Sequence, residues 1–266
     1  MPKKNKSNNL NLAFLFLIVV SGLILLSIFF KLIFVVKDSK FDGNHSFILA
    51  FLAKEETDVV SFSPQNKSIS ILSVSSKVKQ DNLSSYLEVP LDGVVKVPTN
   101  SISDKNLSSE LLRLELTLGN SYSKITFIDI LRLFLFARSV PANSIFQRQL
   151  LENLTSDQKS TIINLSFTNP QIYQDNQSVE IINATDTFGL GNRLANLITN
   201  IGGNVVLVQS ADQNQNGSEI TYFQDKSYTV NYLSNYLGFK TIQSDKRGVA
   251  DVIIILGSDS LKEAKF

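Results

Sequence analysis

The sequence predicts an α/β protein with a single N-terminal transmembrane helix, an α/β middle segment and a small C-terminal α/β domain. That last domain is expected to carry two helices on a mostly five-stranded sheet. Three observations lead there. Residues 12–30 contain no charged side chain. Beyond residue 176, short β-type runs alternate with two helical patterns, as a compact α/β module requires. Between these parts, from 41 to 165, strand-like runs come first and helical ones follow.

The apolar run is the first element. A helix of about 19 residues rising about 1.5 Å per residue spans roughly 28 Å, close to a bilayer's hydrocarbon core. Lys31 interrupts it, but apolar residues resume, so contact with the lipid bilayer is expected from Leu12 to Val36, with the lysine snorkelling to the interface. No small-residue exit site of a cleaved signal peptide is visible. Lys3, Lys4 and Lys6 favour a cytoplasmic N-terminus. Lys31, Lys37 and Lys40 reduce the contrast, while the short N-terminal tail and long polar remainder restore it. The expectation is a single-pass plasma-membrane protein with residues 1–37 as cytoplasmic tail and anchor and the bulk extracytoplasmic.

In the middle segment, residues 47–52, 58–62 and 68–74 read as strands, with Ser63-Pro-Gln-Asn-Lys67 as the turn of a hairpin. Residues 81–85 and 100–109 are polar and loop-like. Leu111, Leu112, Leu114 and Leu118 repeat at helical spacing over 107–118, and Ile128, Leu131 and Leu135 do so over 125–137. Pro141 and Asn143 end that helix, and 144–154 reads as another.

In the C-terminal part, Val179-Glu-Ile-Ile182 reads as a strand and Asn183 to Asn192 as a turn. Leu190, Leu194, Leu197, Ile198 and Ile201 then share one helical face, closed by Gly202 and Gly203. Strands are expected over 205–208, 219–223, 239–243 and 252–256. A second helix, capped by Asp225 or Ser227, carries Val230, Leu233 and Leu237 and stops at Gly238. The last strand is apolar on both faces, which predicts a central place under covering helices.

Composition excludes several chemistries. The chain has no cysteine and one histidine, His45, so disulfides, thiolate nucleophiles, Cys- or His-based zinc sites and a Ser-His-Asp triad are not expected. Any metal must be held by carboxylates and be a hard ion such as magnesium. With 25 basic and 24 acidic residues, the net charge of +1 offers no field for nucleic acid.

The motifs resemble those of the bacterial LytR-CpsA-Psr envelope proteins. Asn183-Ala184-Thr185 stands where the LytR C-terminal domain has an Asn-Gly-Thr turn. Gly189-Leu190-Gly191 resembles its helix entry, and residues 251–259 its Asp-Val-x-Val-Val-Leu-Gly-x-Asp ending. The resemblance implies such a domain over 176–266. In the middle, Thr57-Asp58-Val59 is similar to the acidic strand that opens the family's catalytic domain. Ser63-Pro-Gln-Asn-Lys67 resembles its hairpin, and Phe136-Ala-Arg138 and Phe146-Gln-Arg148-Gln149 its late arginine stretch. Where the family carries Pro-Arg-Asp after Ser73-Val74, this chain has Ser75, Ser76 and Lys77. A hydroxyl cannot reproduce the forked donor that grips a pyrophosphate, and an ammonium cannot ligate magnesium.

The resemblance therefore implies a degenerate LytR-CpsA-Psr-like domain over 41–165. The expected function is non-catalytic binding or scaffolding of cell-wall glycopolymer or envelope partners, with no cofactor and no nucleic acid. The alternative is a transferase moving a phosphoglycan from a lipid pyrophosphate to peptidoglycan, with Asp58, Arg138 and Arg148 as its site and Asp58 holding magnesium. Asp58 also reads as a strand-end residue, and the two arginines as surface cations near helix ends. The family's label as a transcriptional attenuator finds no helix-turn-helix signal or basic patch here. In the C-terminal domain, Asn183, Thr185, Gly189, Gly191 and Arg193 surround a strand-to-helix turn that suits an anion or wall-polymer group. The same residues also read as a purely structural turn.

Overall fold

The computed structural model describes residues 6–37, 39–75, 83–116, 122–123, 125–223, 225–246 and 248–261. Helix α1 (Lys6–Lys37) contains the apolar stretch Ala13–Lys31, long and apolar enough to cross a membrane, with none of it buried against the rest of the protein.

The chain then builds a six-stranded mixed sheet from β1 (Phe47–Leu52), β2 (Glu56–Ser63), β3 (Ser68–Ser75), β4 (Gly93–Lys96), β5 (Tyr122–Ser123) and β6 (Ile145–Leu150). Their spatial order is β5-β4-β1-β2-β3-β6. The meander β1-β2-β3 is antiparallel, while β4 and β6 join it in parallel on either side. Between these strands lie α2 (Leu83–Leu87), α3 (Leu107–Leu116) and α4 (Phe127–Ser139), and α5 (Ser156–Phe167) and α6 (Pro170–Asp175) follow β6.

Strand alternation feeds two cores. Phe47, Leu49 and Phe51 point into one core with Leu107 and Leu111 of α3 and Ile130 and Leu133 of α4. Ile48 and Ala50 point the other way, into a core with Leu83 and Leu87 of α2 and Ile163 and Phe167 of α5. Both faces of β2 are therefore dry, which explains its almost unbroken burial.

A second sheet is formed by β7 (Ser178–Asn183), β8 (Asn204–Ser210), β9 (Glu219–Tyr222), β10 (Lys240–Gln243) and β11 (Val252–Leu256), in the order β10-β9-β11-β7-β8. Here α7 (Leu190–Asn200) and α8 (Tyr228–Leu237) pack on the face made by Val179, Ile181, Ile220, Val252 and Ile254. Ser227 caps α8 and Gly238 ends it. The mixed α/β fold expected from the sequence is present in both parts.

Several details differ from the sequence expectations. Residues 144–154 are not a helix: Ile145–Leu150 pairs with β3 in parallel, and that ladder outweighs the weak helical pattern. Within the polar stretch 81–85, Leu83 begins the short helix α2, because Leu83 and Leu87 are drawn into the core. Strand β11 is central, but α7 and α8 cover one face only; Ile253 and Ile255 on the other are half-buried.

The two sheets meet through short polar contacts. Asn200 Nδ2 donates to the carbonyls of Leu87 (3.3 Å) and Glu88 (3.1 Å), and Asn196 Nδ2 donates to Glu88 Oε1. Asn164 of α5 donates to the Thr199 carbonyl, and the His45 ring stacks on Tyr228 at 5.5 Å.

Candidate functional site

Strand β2 puts Asp58 in the interior, with none of it exposed. Its Oδ1 accepts from Ser73 Oγ at 2.5 Å and its Oδ2 from the Ile102 N–H at 2.6 Å. Ser73 lies directly opposite on β3, so the pair is a cross-strand contact set by register. Burial raises the Asp58 carboxyl above its ordinary range, and the two hydrogen bonds oppose that rise.

Of the two arginines that the sequence grouped with Asp58, the fold puts Arg148 on the other face of the sheet. Asp58 shares the parity of Val60 and Phe62, which line the core beneath α3 and α4. Arg148 pairs with Leu72, whose side chain joins the opposite core, so it belongs to the other face of the sheet. Arg138 sits in the last turn of α4, exposed, with its guanidinium 5.7 Å from the Phe134 ring centre. Arg148 lies over Phe146 at 5.7 Å, and its Nη1 is buried without a hydrogen-bond partner among the described residues. Ser76 and Lys77 lie outside the described residues. Asp58 is a poor fit for magnesium, since its side chain is fully buried and each of its oxygens already accepts a hydrogen bond. No group of three His, Asp or Glu side chains suited to a metal gathers among the described residues.

In the C-terminal part, the turn after β7 is stitched by its own side chains. Asn183 Oδ1 accepts from Thr185 N and Oγ1, while Asn183 Nδ2 donates to the Thr187 carbonyl. Thr185 Oγ1 in turn accepts from Thr187 N. Asn183 and Thr185 thus spend their polar atoms on the loop. Gly189 opens α7 at φ 78°, a conformation that side chains disfavour. Gly191 lets the helix approach the sheet, since a Cβ there would lie 3.0 Å from Val208 Cγ1. Arg193 is exposed in the first turn of α7. The tip of this turn presents Phe188, 99 % exposed, which the motif reading passed over; a lone aromatic in a polar turn was the available signal.

A hollow of about 100 Å³ opens at the strand ends of the same sheet, lined by Gln177, Tyr222, Phe223, Asp225, Ser227, Val230 and Asp251. Asp251 Oδ2 accepts from Ser178 N and Oγ there, tying β7 to the start of β11. These residues come from three separate parts of the chain, so no linear motif marks them. The hollow is lined by the aromatic rings of Tyr222 and Phe223 and by the carboxylates of Asp225 and Asp251.

Two helices on one face of a five-stranded mixed sheet, entered by a stitched strand-to-helix turn, define a small α/β module. Residues 176–259 match the family described as LytR cell envelope-related transcriptional attenuator. No curated protein matches the chain. Among solved structures it is similar to a transcriptional factor of Listeria monocytogenes, at 7 % identity and a TM-score of 0.21, covering 84 % of this chain and 96 % of that one. A transcriptional regulator of Enterococcus faecalis gives 11 % identity and 0.21, covering 76 % and 91 %. TagT of B. subtilis gives 13 % identity and 0.16, covering 85 % and 91 %.

Proposed function

We propose that this chain is a membrane-anchored, single-pass cell-envelope protein that binds or scaffolds wall glycopolymer or an envelope partner without transferring it. The family match over 176–259 supports the envelope setting, and the apolar helix α1 supports the anchor. The observation that supports the non-catalytic part is Asp58: both carboxylate oxygens are engaged inside the protein, and Arg148 belongs to the opposite face of the sheet. Recognition is assigned to the C-terminal module, where Phe188, Arg193 and the hollow beside Asp225 face solvent. In the same reading the N-terminus is cytoplasmic and residues 41–266 are extracytoplasmic.

One feature favours the transferase alternative, the buried and unpartnered Nη1 of Arg148. A pyrophosphate oxygen is the kind of acceptor it lacks. The full chain, purified in detergent with magnesium, a polyprenyl-pyrophosphate-linked glycan and peptidoglycan, separates the two readings. Co-sedimentation with peptidoglycan and no transferred glycan is the expected result. Glycan transferred to peptidoglycan, and lost in Arg148→Ala, would replace the scaffold reading with the enzyme.

A further inference from the structure

Between the last residue of α1, Lys37, and the first hydrogen bond to the folded part there is a single residue. Ser39 Oγ donates to Asp129 Oδ1 at 2.8 Å, and the N–H groups of Lys40 and Phe41 donate to the same oxygen. Arg132 closes the clamp from the next turn of α4, its Nη1 donating to Ser39 Oγ at 3.0 Å and to the Phe41 carbonyl at 2.9 Å. Two peptide steps cover at most about 7 Å. Helix α4 is therefore fixed close to the end of the apolar helix.

That location gives meaning to what α4 shows to solvent. Leu131 and Leu135, one helical turn apart, are 39 % and 57 % exposed, and Arg138 and Ser139 complete the exposed side chains of α4. The partner helix α3 adds Leu112, 41 % exposed, together with Ser109 and Arg113. Single exposed leucines are ordinary on a protein surface. Three on two packed helices, with Arg113 and Arg138 exposed beside them, match the chemistry of the lipid–water interface.

The geometry points to a second membrane contact: the α3–α4 face lies on the bilayer, with Leu112, Leu131 and Leu135 in the interface and Arg113 and Arg138 against anionic headgroups. This rests on the reading of α1 as a membrane span and deepens it. The anchor then holds the protein in one orientation on the lipid surface, and the clamp at Asp129 transmits that orientation to both sheets.

The chain contains no tryptophan, so one introduced tryptophan reports its own surroundings. Full-length Leu131→Trp, Leu135→Trp, Phe16→Trp and Phe188→Trp proteins are reconstituted in phosphatidylcholine–phosphatidylglycerol vesicles, with or without lipid brominated near the top of the acyl chain. A matching set with bromine deep in the chain tests Phe16→Trp. Leu131→Trp and Leu135→Trp are expected to emit at shorter wavelength and to lose most of their emission to the shallow bromine. Phe16→Trp is expected to be quenched by the deep bromine, and Phe188→Trp by neither. If Phe16→Trp is quenched while Leu135→Trp behaves like Phe188→Trp, the docked face is wrong and the anchor stands. If Phe16→Trp is not quenched, the anchor fails and the inference with it. A blue-shifted, unquenched Leu135→Trp that depends on protein density would show a second copy covering this face and overturn the lipid contact.

Discussion

The backbone N–H of Phe41 donates to Asp129 Oδ1 at 2.8 Å across 88 residues of sequence. Asp129 is fully buried, and its second oxygen accepts from Thr126 N (2.7 Å) and Thr126 Oγ1 (2.9 Å), closing a capping box at the start of α4. One carboxylate thus starts a helix and moors the segment leaving α1. Phe41 follows it into the core, edge-on to Phe47 and Phe136.

Removing that carboxylate leaves the N–H groups of Lys40, Phe41 and Thr126 without their acceptor. Each buried donor left unsatisfied costs about 1–3 kcal/mol. Asp129→Ala should destabilise the first sheet and its helices by at least about 3 kcal/mol, measured by thermal or denaturant unfolding in detergent. Asp129→Asn, which keeps one acceptor oxygen, should lose less. Equal stability of Asp129→Ala and wild type would show that residues 39–41 are held by something else.

Asp58 offers a sharper distinction between a structural and a ligating carboxylate. In Asp58→Asn, the amide oxygen still accepts from Ile102 N, and the Ser73 hydroxyl can turn to accept from the amide nitrogen. Because burial already disfavours the charge, the exchange should change stability by no more than about 1 kcal/mol, whereas Asp58→Ala orphans a donor and should cost about 1–3 kcal/mol. Retained peptidoglycan binding by Asp58→Asn is also expected. Loss of that binding with stability unchanged would point to a ligand on this carboxylate.

How much of this was readable in advance depended on the range of the forces involved. The α7 stripe of Leu190, Leu194, Leu197, Ile198 and Ile201 is buried as its spacing requires, because helical amphipathicity is local. The apolar run at Val252 forms a central strand, as residues without a polar face require. Residues 145–150 misled because Gln147, Arg148 and Gln149 carry little strand signal, and the pairing with β3 that decides the matter lies far off in sequence. For the site, residue identity located Asp58 and the arginines but not their faces. Asp58 finds Ile102 at 44 residues' separation, and the parity that divides it from Arg148 follows from sheet register.

Acidity should act through Asp92. Burial pushes its carboxyl up to about 6, Asp129 adds to the rise, and the Ile48 N–H and Lys40 oppose it. An acid whose folded value exceeds the unfolded 3.8 binds its proton more tightly in the fold. Its protonation therefore favours the fold as pH falls from about 6 towards 4, and that contribution is lost as pH rises through about 6. Asp58 is raised as well and has the same sign; Asp42 and Asp259 are lowered and act below this window. Melting temperatures compared across pH 4–7 should show a shallower slope for Asp92→Asn than for wild type. Identical slopes would remove Asp92 as the source.

Asn200 bridges the two sheets from inside their junction. It is 3 % exposed, and its amide nitrogen bridges the carbonyls of Leu87 and Glu88. The neighbouring contact from Asn196 is exposed and worth less, since water competes for it. Glu88 adopts φ 51°, so the turn after α2 stands in a conformation that ordinary residues disfavour. Asn200→Leu keeps the bulk, removes both bonds and strands one buried and one half-buried acceptor, at a cost of about 1–3 kcal/mol. The loss should fall on the docking of the sheets rather than on either core, because no core side chain is altered. Hydrogen exchange should rise first in residues 83–92 and at the C-terminal end of α7, while β11 stays protected. Uniform acceleration across both sheets would instead mean that the two parts unfold as one unit and that Asn200 has no special hold on their contact.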